Sequence, residues 1–226
     1  MRTYKNITFS NDQQTIKALQ ALSKPGISVD EYRGAFHQIG MALGTLLNSK
    51  VENNYGNTML ACASEDADWL AKGVIDTISQ KNISLAVFWN GRITLNEVTK
   101  LEYSPIIKSY IEPIENCQTL ILVKSIIGTS CVVKNQLLHL IGKINPQRIF
   151  IVAPVMYKDA QVSLTKDFPD YINVKFEFIT FAIDTERKPS GEIIPGIGGM
   201  VYPKLGLGDI REKNKYTPNL VISRIG

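Results

Sequence analysis

A short loop of small and hydroxyl residues, Gly128-Thr129-Ser130, lies between two segments of different pattern. The run before it, Leu120–Val123, is apolar, β-branched and too short for a lone helix, so it predicts a buried parallel strand. After the loop, apolar residues recur at helical spacing as far as Lys143. In a strand–loop–helix unit, loop amides and the helix N-terminus point at one place, which attracts anions. The pattern indicates either a phosphate site or an ordinary turn that packs a helix on a sheet.

The composition describes a globular protein with a normal core, because 44% of the 226 residues are hydrophobic and 20% are charged. A single domain spanning 1–226 is expected. The excess of 25 basic over 21 acidic residues is too small to indicate nucleic-acid binding. The one dense basic run, Arg211–Lys215, predicts a solvated loop.

The sequence gives no sign of membrane insertion or secretion. No run of 18 apolar residues occurs, and the first ten residues lack the apolar core of a signal peptide. Cys62, Cys117 and Cys131 lie in separate segments without CxxC spacing, which favours free, mostly buried thiols in a reducing compartment. We therefore expect a cytoplasmic protein.

Three carboxylates occur within four residues, at Glu65, Asp66 and Asp68, directly after the predicted strand Thr58–Ala63. They could hold a metal ion. They also fall in the first turn of a predicted helix, where the helix dipole favours negative charge. We prefer helix-start electrostatics as their explanation.

Strands and helices alternate along the chain, which predicts a three-layer α/β domain with a mainly parallel sheet. One helix is predicted near 11–22, with Asp12 as its cap. A second helix is predicted after the capping box Ser28–Glu31. Asn173–Ile183 is expected to be one long strand buried on both faces, and the irregular segment before Glu115 leaves room for a hairpin. Because ligands of such sheets bind beyond the carboxyl ends of the strands, turns 90–92, 124–131 and 184–199 should converge.

The segment Ala182-Ile183-Asp184, followed after a variable hairpin by Pro195-Gly196-Ile197-Gly198, resembles the C-terminal motif of the uracil phosphoribosyltransferase family. Ser23–Leu47 resembles the family's N-terminal helix pair, Leu85–Gly91 its pyrophosphate loop, and Val123–Ser130 its phosphoribosyl-pyrophosphate loop. The resemblance implies a type I phosphoribosyltransferase-like fold with a C-terminal hood segment, usually a homodimer. It also implies transfer of ribose 5-phosphate from phosphoribosyl pyrophosphate to a base, assisted by Mg²⁺.

The resemblance assigns roles to individual residues. The phosphoribosyl pyrophosphate would be held by Gly91, Ile127, Gly128, Thr129 and Ser130. The base edge would meet the turn formed by Ile194, Gly196, Ile197, Gly198 and Gly199, where glycines let the backbone approach closely. The catalytic charges would come from Arg92, Lys124 and Asp209. No side chain is expected to ligate a metal ion directly.

Four departures from the family pattern fall on the implied site. Lys124 stands where the family has an Asp that faces the ribose hydroxyls, and Trp89 stands where it has an Arg. Ser130 and Cys131 replace two loop glycines, and Gly199 replaces the Asp that closes the base motif. Arg92 could replace the lost Arg, and Asp209, in a later Leu-Gly-Leu-Gly-Asp, could replace the lost Asp.

Two hypotheses follow from this mixture of retained and altered positions. The first is a diverged transferase that uses phosphoribosyl pyrophosphate with a base or a base-like acceptor, with Lys124 pairing with a phosphate or carboxylate. The second is a catalytically silent protein that senses a nucleoside phosphate or phosphosugar, or that serves as an assembly subunit. Nucleic acid is not expected as a partner under either hypothesis.

Overall fold

The central sheet of this protein lies between two layers of helices. The computed structural model describes residues 1–7, 13–52, 54–80, 82–96 and 101–225; the expected Asp12 cap lies outside them. Among the described residues, six strands form this sheet in the order β11 (Phe176–Ile179), β9 (Arg148–Val152), β7 (Thr119–Val123), β2 (Thr58–Ala63), β3 (Ile83–Asn90), β6 (Ile106–Ile111). Only β6 is antiparallel to its neighbour. The predicted fold class, three-layer α/β with a mainly parallel sheet, is confirmed.

Alternation along the central strands explains the two helical layers. Leu60 and Cys62 of β2 face one hydrophobic cluster, and Met59 and Ala61 face the other. Because side chains alternate between the faces of a strand, an apolar run buried on both sides needs helices on both faces. The first cluster packs against the helices before residue 80, and the second packs against those between 131 and 173.

The helices of the described residues are α1 (Gln13–Ser23), α2 (Val29–Val51), α3 (Ser64–Asp66), α4 (Lys72–Thr77), α5 (Cys131–Ile144), α6 (Ala160–Lys166), α7 (Asp170–Asn173), α8 (Val201–Lys204), α9 (Ile210–Lys215), α10 (Asn219–Ile225). The predicted capping box is present at the start of α2, where Ser28 and Glu31 bond each other's backbone N–H groups. A π-helical stretch, Ala67–Ala71, joins α3 to α4. None of these helices is long and apolar enough to cross a membrane.

A second sheet lies at the carboxyl edge of the first, in the order β1 (Arg2–Tyr4), β12 (Ala182–Asp184), β10 (Val155–Tyr157), β8 (Ile126–Ile127). Strands β7, β9 and β11 each leave the central sheet and continue, after a break of two residues, as β8, β10 and β12. Two antiparallel strand pairs complete the described strands: β4 (Ile93–Asn96) with β5 (Leu101–Tyr103), and β13 (Glu186–Arg187) with β14 (Ile193–Ile194).

The predicted long strand over Asn173–Ile183 is wrong. Asn173 ends α7, and the chain changes sheets at Thr180 and Phe181. The N–H groups of Phe181 and Ala182 both donate to Pro154 O, which turns the chain from β11 into β12. Strand β11 is also an edge strand, so Glu177 is exposed rather than buried. Bulky residues on both faces here reflect two short strands in different sheets.

The expectation of a solvated loop at Arg211–Lys215 is also wrong. Residues 210–215 form the helix α9, and the Lys213 side chain is 2% exposed. The thiols of Cys62, Cys117 and Cys131 are free, and the first two are buried, as predicted.

Candidate functional site

The carboxyl ends of β2, β3 and β7 bring charged and polar residues together at one edge of the central sheet. In the registers of these strands, Cys62 lies opposite Val123, and Ala63 lies opposite Phe88. The residues that follow these ends therefore have to meet. They are Ser64, Glu65 and Asp66 after β2, Asn90 at the end of β3, and Lys124 after β7.

Lys124 is buried in the break between β7 and β8, where its N–H donates to Val152 O. Its ammonium lies 2.6 Å from Asp66 Oδ2, 2.8 Å from Ser125 Oγ and 3.5 Å from Glu65 Oε1. An ammonium has three hydrogen atoms to donate, and these three oxygens can take all of them. Lys124 is therefore occupied within the protein.

A second ammonium reaches the same place from α9. Lys213 Nζ donates to Asn90 O at 2.9 Å and lies 3.4 Å from Glu65 Oε2. We call Glu65, Asp66, Lys124 and Lys213 the charge cluster. Its formal charge is zero, because two carboxylates face two ammonium groups.

Within the charge cluster, burial and ion pairing shift the pKa values in opposite directions. Burial lowers the pKa of Lys124, but Asp66 and Glu65 outweigh it and hold the pKa above its ordinary value. Burial raises the pKa of Glu65, but Lys124 and Lys213 outweigh it and hold that pKa below its ordinary value. For Asp66, burial and the neighbouring Glu65 charge prevail over Lys124, so its pKa is raised. Lys124 and Glu65 thus stay charged at neutral pH.

Five buried side-chain oxygens near the charge cluster have no hydrogen-bond partner among the described residues. They are Ser64 Oγ, Glu65 Oε2, Asp66 Oδ1, Gln136 Oε1 and Asn214 Oδ1. Four of them are carboxylate or amide oxygens, which can only accept. These oxygens therefore have no protein donor among the described residues at this edge of the sheet.

The three acids predicted to serve the helix dipole have more specific partners. Glu65 and Asp66 pair with lysines, and Asp68 accepts from the N–H groups of Asn219 and Leu220 at 2.8 and 2.9 Å. Asp68 also accepts from the Tyr216 hydroxyl, so it holds the start of α10. Among the described residues, no group of three His, Cys, Asp or Glu side chains could hold a metal ion.

The loop at Gly128–Ser130 remains open to solvent. Thr129 is exposed, and Gly128 and Ser130 are partly exposed, whereas Ile127 is buried. Arg187 Nη2 donates to Gly128 O at 2.6 Å from the β13–β14 hairpin. The Ser130 hydroxyl donates to Asp167 Oδ2 at 2.6 Å instead of capping α5.

The turn expected to contact a base has its backbone groups engaged within the protein. Gly196 N–H donates to Asp184 Oδ2 at 2.8 Å, and Gly196 O accepts from Arg2 Nη2 at 2.6 Å. Ile197 O accepts from the buried Tyr32 hydroxyl at 2.9 Å. Gly198 N–H donates to Pro195 O at 3.3 Å, which closes the turn on itself.

Backbone geometry accounts for the glycines of this turn. Gly196, Gly198 and Gly199 have φ angles of 54°, 77° and 108°, which side-chain-bearing residues rarely adopt. Ile194 belongs to β14 and precedes Pro195 through a cis peptide bond.

The remaining predicted site residues lie at the rim or outside the charge cluster. Gly91 N–H donates to Pro105 O, and Arg92 is exposed beside it. Asp209 is the N-cap of α9 and accepts from the N–H groups of Arg211 and Glu212. The Trp89 ring is buried, with its indole N–H donated to Tyr216 O, so it does not face a cleft.

The three turns that were predicted to converge, 90–92, 124–131 and 184–199, are joined by contacts only in part. The turn at 194–197 meets the loop at 128, because a Cβ built on Gly128 would lie 2.8 Å from Ile193 Cδ1. Asn90 is linked to Lys124 through Lys213 and Glu65. Sequence reasoning did not identify Glu65, Asp66 and Lys213 as members of the charge cluster. The one sequence signal was the basic residue Lys124 at a position where the family has an Asp, because a buried lysine needs acidic partners.

No protein-family model matches the chain, and comparison with curated proteins gives no significant match. Among solved structures, the AQ2163 protein from Aquifex aeolicus is similar, with a TM-score of 0.64 at 11% identity over 86% of this chain and 95% of that one. Adenine phosphoribosyl transferase from Trypanosoma brucei, in complex with AMP, pyrophosphate and ribose-5-phosphate, matches with a TM-score of 0.47 at 8% identity over 78% and 81%.

A third match is orotate phosphoribosyltransferase from Mycobacterium tuberculosis H37Rv, in complex with 5-phospho-alpha-D-ribosyl 1-diphosphate. Its TM-score is 0.39 at 8% identity, over 74% of this chain and 89% of that one. At these identities the likeness is one of fold alone. The assignment to the uracil-specific family stays a prediction.

Proposed function

We propose that this chain is a catalytically silent relative of the phosphoribosyltransferases, which binds a phosphosugar or nucleoside phosphate without transferring it. The observation that carries the proposal is the pairing of Lys124 with Asp66 and Glu65. The resemblance to the family implies that ribose hydroxyls would lie at this position. Here it holds a buried, electrically balanced charge cluster.

Transfer from phosphoribosyl pyrophosphate needs stabilisation of two developing charges. Positive charge grows on the sugar as the bond at the anomeric carbon breaks, and negative charge grows on the departing pyrophosphate. Preorganised groups of opposite sign would lower that barrier. Lys124 has the wrong sign for the sugar, and Asp66 and Glu65 already hold its charge, so it is not available to the leaving group.

The residues present do not fit a Mg²⁺ ion at this edge of the sheet. The carboxylates of Glu65 and Asp66 are already matched by the ammonium groups of Lys124 and Lys213. A divalent cation would have to displace one of these buried lysines. The function proposed here therefore contains no metal-dependent step.

Binding of a base by the turn at 194–199 is likewise disfavoured. The Gly196 N–H and C=O groups and the Ile197 C=O group already have partners inside the protein. A base that accepted from the Gly196 N–H would have to displace Asp184 from it. Buried hydrogen bonds are costly to lose without replacement.

The open loop at Gly128–Ser130 is the part of the predicted site that supports binding. It is partly exposed and precedes the 14-residue helix α5, whose N-terminal amides favour an anion. Arg187 adds positive charge at the loop through its contact with Gly128 O. We place the phosphate of the ligand at this loop, in contact with the amide groups of Thr129 and Ser130.

Titration calorimetry with ribose 5-phosphate and nucleoside monophosphates tests this proposal. We expect binding that does not depend on Mg²⁺ and that weakens at least tenfold in Thr129→Asp, because the new carboxylate repels the phosphate. Thr45→Asp, at an exposed position of α2, is the matched control and should bind like the wild type. Absence of binding to every phosphate ester, or equal affinity in Thr129→Asp, would overturn the phosphate site.

A homodimer and a cytoplasmic location also belong to this proposal. Sedimentation equilibrium of the purified chain tests the first, and imaging of the tagged protein in its own cell tests the second. A monomer at micromolar concentration would contradict the expected dimer.

A further inference from the structure

The segment 206–215, which carries α9, closes the sheet edge at the charge cluster through one buried side chain. Lys213 is the one buried residue in this segment, and every residue of it is described. Its ammonium is held by Asn90 O at 2.9 Å and Glu65 Oε2 at 3.4 Å. A short helix usually buries an apolar face, but this one buries a lysine.

The segment is anchored at both ends; between them, the half-buried Leu207 packs against the first hydrophobic cluster and Lys213 reaches the charge cluster. Before it, Leu205 O accepts two hydrogen bonds from the Arg33 guanidinium, at 2.8 and 3.1 Å. After it, Asp68 accepts from Tyr216, Asn219 and Leu220. Gly206 and Gly208 have φ angles of 72° and 67°, so the chain turns there in a conformation that favours glycine.

Two buried acceptor oxygens close to Lys213 in the sequence or in space have no protein donor within the described part of the chain. Asp66 Oδ1 and Asn214 Oδ1 have no hydrogen-bond partner among the described residues. These oxygens have no described protein donor in this arrangement, and solvent would reach them once the segment moved away. Elements with few buried apolar contacts open locally at low free-energy cost.

We propose that segment 206–215 is a removable plug, with Lys213 as the internal group that holds it closed over the charge cluster. When the plug opens, Lys213 leaves Asn90 O and Glu65, and the carboxyl ends of β2, β3 and β7 become accessible. The anchors at Leu205 and Tyr216 stay in place, so the motion is confined to the residues between them. The plug goes beyond the proposed function, and its opening can be measured without any ligand.

Hydrogen exchange of the full chain, followed by mass spectrometry or NMR, tests the plug. In Lys213→Ala we expect the amides of residues 210–215 to exchange at least tenfold faster than in the wild type. The amides of β2 and β7 should accelerate by a clearly smaller factor, because core strands exchange only through global unfolding. Lys215→Ala removes an exposed lysine from the same helix and should leave all rates unchanged.

Glu65→Gln is a second variant, which tests the plug even if Lys213→Ala does not fold. It replaces the ionic contact of Lys213 with a contact to a neutral amide, so exchange of residues 210–215 should again accelerate by a larger factor than exchange of β2 and β7. Unchanged exchange of α9 in both variants would overturn the plug. Acceleration of α9, β2 and β7 by one common factor would also overturn it, because that result means global and not local opening.

Discussion

The ammonium of Lys124 lies 2.6 Å from the carboxylate of Asp66, at the ends of two adjacent parallel strands, β7 and β2. Because both side chains are buried, this pair is screened little by water or salt. Its partners Glu65 and Lys213 complete a neutral cluster in the place where the family resemblance implies a sugar. We therefore expect the Lys124–Asp66 contact to affect both the stability of the fold and the binding of ligands.

Lys124→Met tests how strongly the chain depends on that pair. Removing one member of a buried pair leaves an uncompensated charge, so we expect a loss of roughly 3–5 kcal/mol in the free energy of unfolding. Lys134→Met is the matched control, because the Lys134–Asp167 pair is more exposed and its removal should cost about 1 kcal/mol or less. Urea denaturation measures both; equal losses would contradict the buried role of Lys124.

The charge cluster also predicts a pH dependence. The folded pKa of Glu65 lies below its ordinary value of 4.5, so its carboxylate contributes stability that is present above pH 4.5. This contribution is lost as the pH falls through the folded pKa. The difference in unfolding free energy between wild type and Glu65→Gln should therefore be largest near neutral pH and should shrink below about pH 4.5. A difference that grows on acidification would contradict this sign.

Two glycines in α2 make a matched pair for testing helix packing. A Cβ on Gly40 would lie 2.2 Å from Leu70 O, a backbone atom that cannot easily move, whereas a Cβ on Gly34 meets nothing within 4 Å. We expect Gly40→Ala to lower the free energy of unfolding by roughly 3 kcal/mol. Gly34→Ala should raise it by about 0.5–1 kcal/mol through its helix propensity. Thermal or urea unfolding of the two variants should show changes of opposite sign in the free energy of unfolding.

The Arg2–Asp184 pair should hold the turn at Gly196. Both partners are nearly inaccessible, and together they satisfy the Gly196 N–H and C=O groups. Arg2→Met leaves Asp184 buried without its cation, so a loss of about 3 kcal/mol or more is expected. Arg224→Met breaks a more exposed pair with Glu112 and should cost about 1 kcal/mol. Comparable losses in the two variants would contradict the special role of Arg2.

Local patterns predicted the elements that depend on local forces. The apolar run at Thr58–Ala63 predicted β2 with its observed bounds, and the spacing of Ser28 and Glu31 predicted the capping box of α2. The strand–loop–helix unit at 120–143 was likewise predicted, because strand burial and helix periodicity are both visible in a short window.

The charge cluster could not be predicted in the same way. Lys124 and Glu65 are 59 residues apart, and Lys213 is a further 89 positions along the chain from Lys124. In the sequence, Lys213 lies among other charges, which is the usual pattern of a solvated segment. Its burial follows from the anchors of segment 206–215, and these are tertiary contacts to Arg33 and Asp68.

The central claim is that this protein binds phosphate esters but does not transfer a phosphoribosyl group, and an assay of pyrophosphate release tests it most directly. The full chain is incubated with phosphoribosyl pyrophosphate, with and without Mg²⁺, against a panel of pyrimidine and purine bases that includes uracil. We expect no release above the rate without protein for any base, because Lys124 and its partners lie where the family resemblance implies the sugar. Release that depends on the base would contradict the claim and restore the transferase hypothesis.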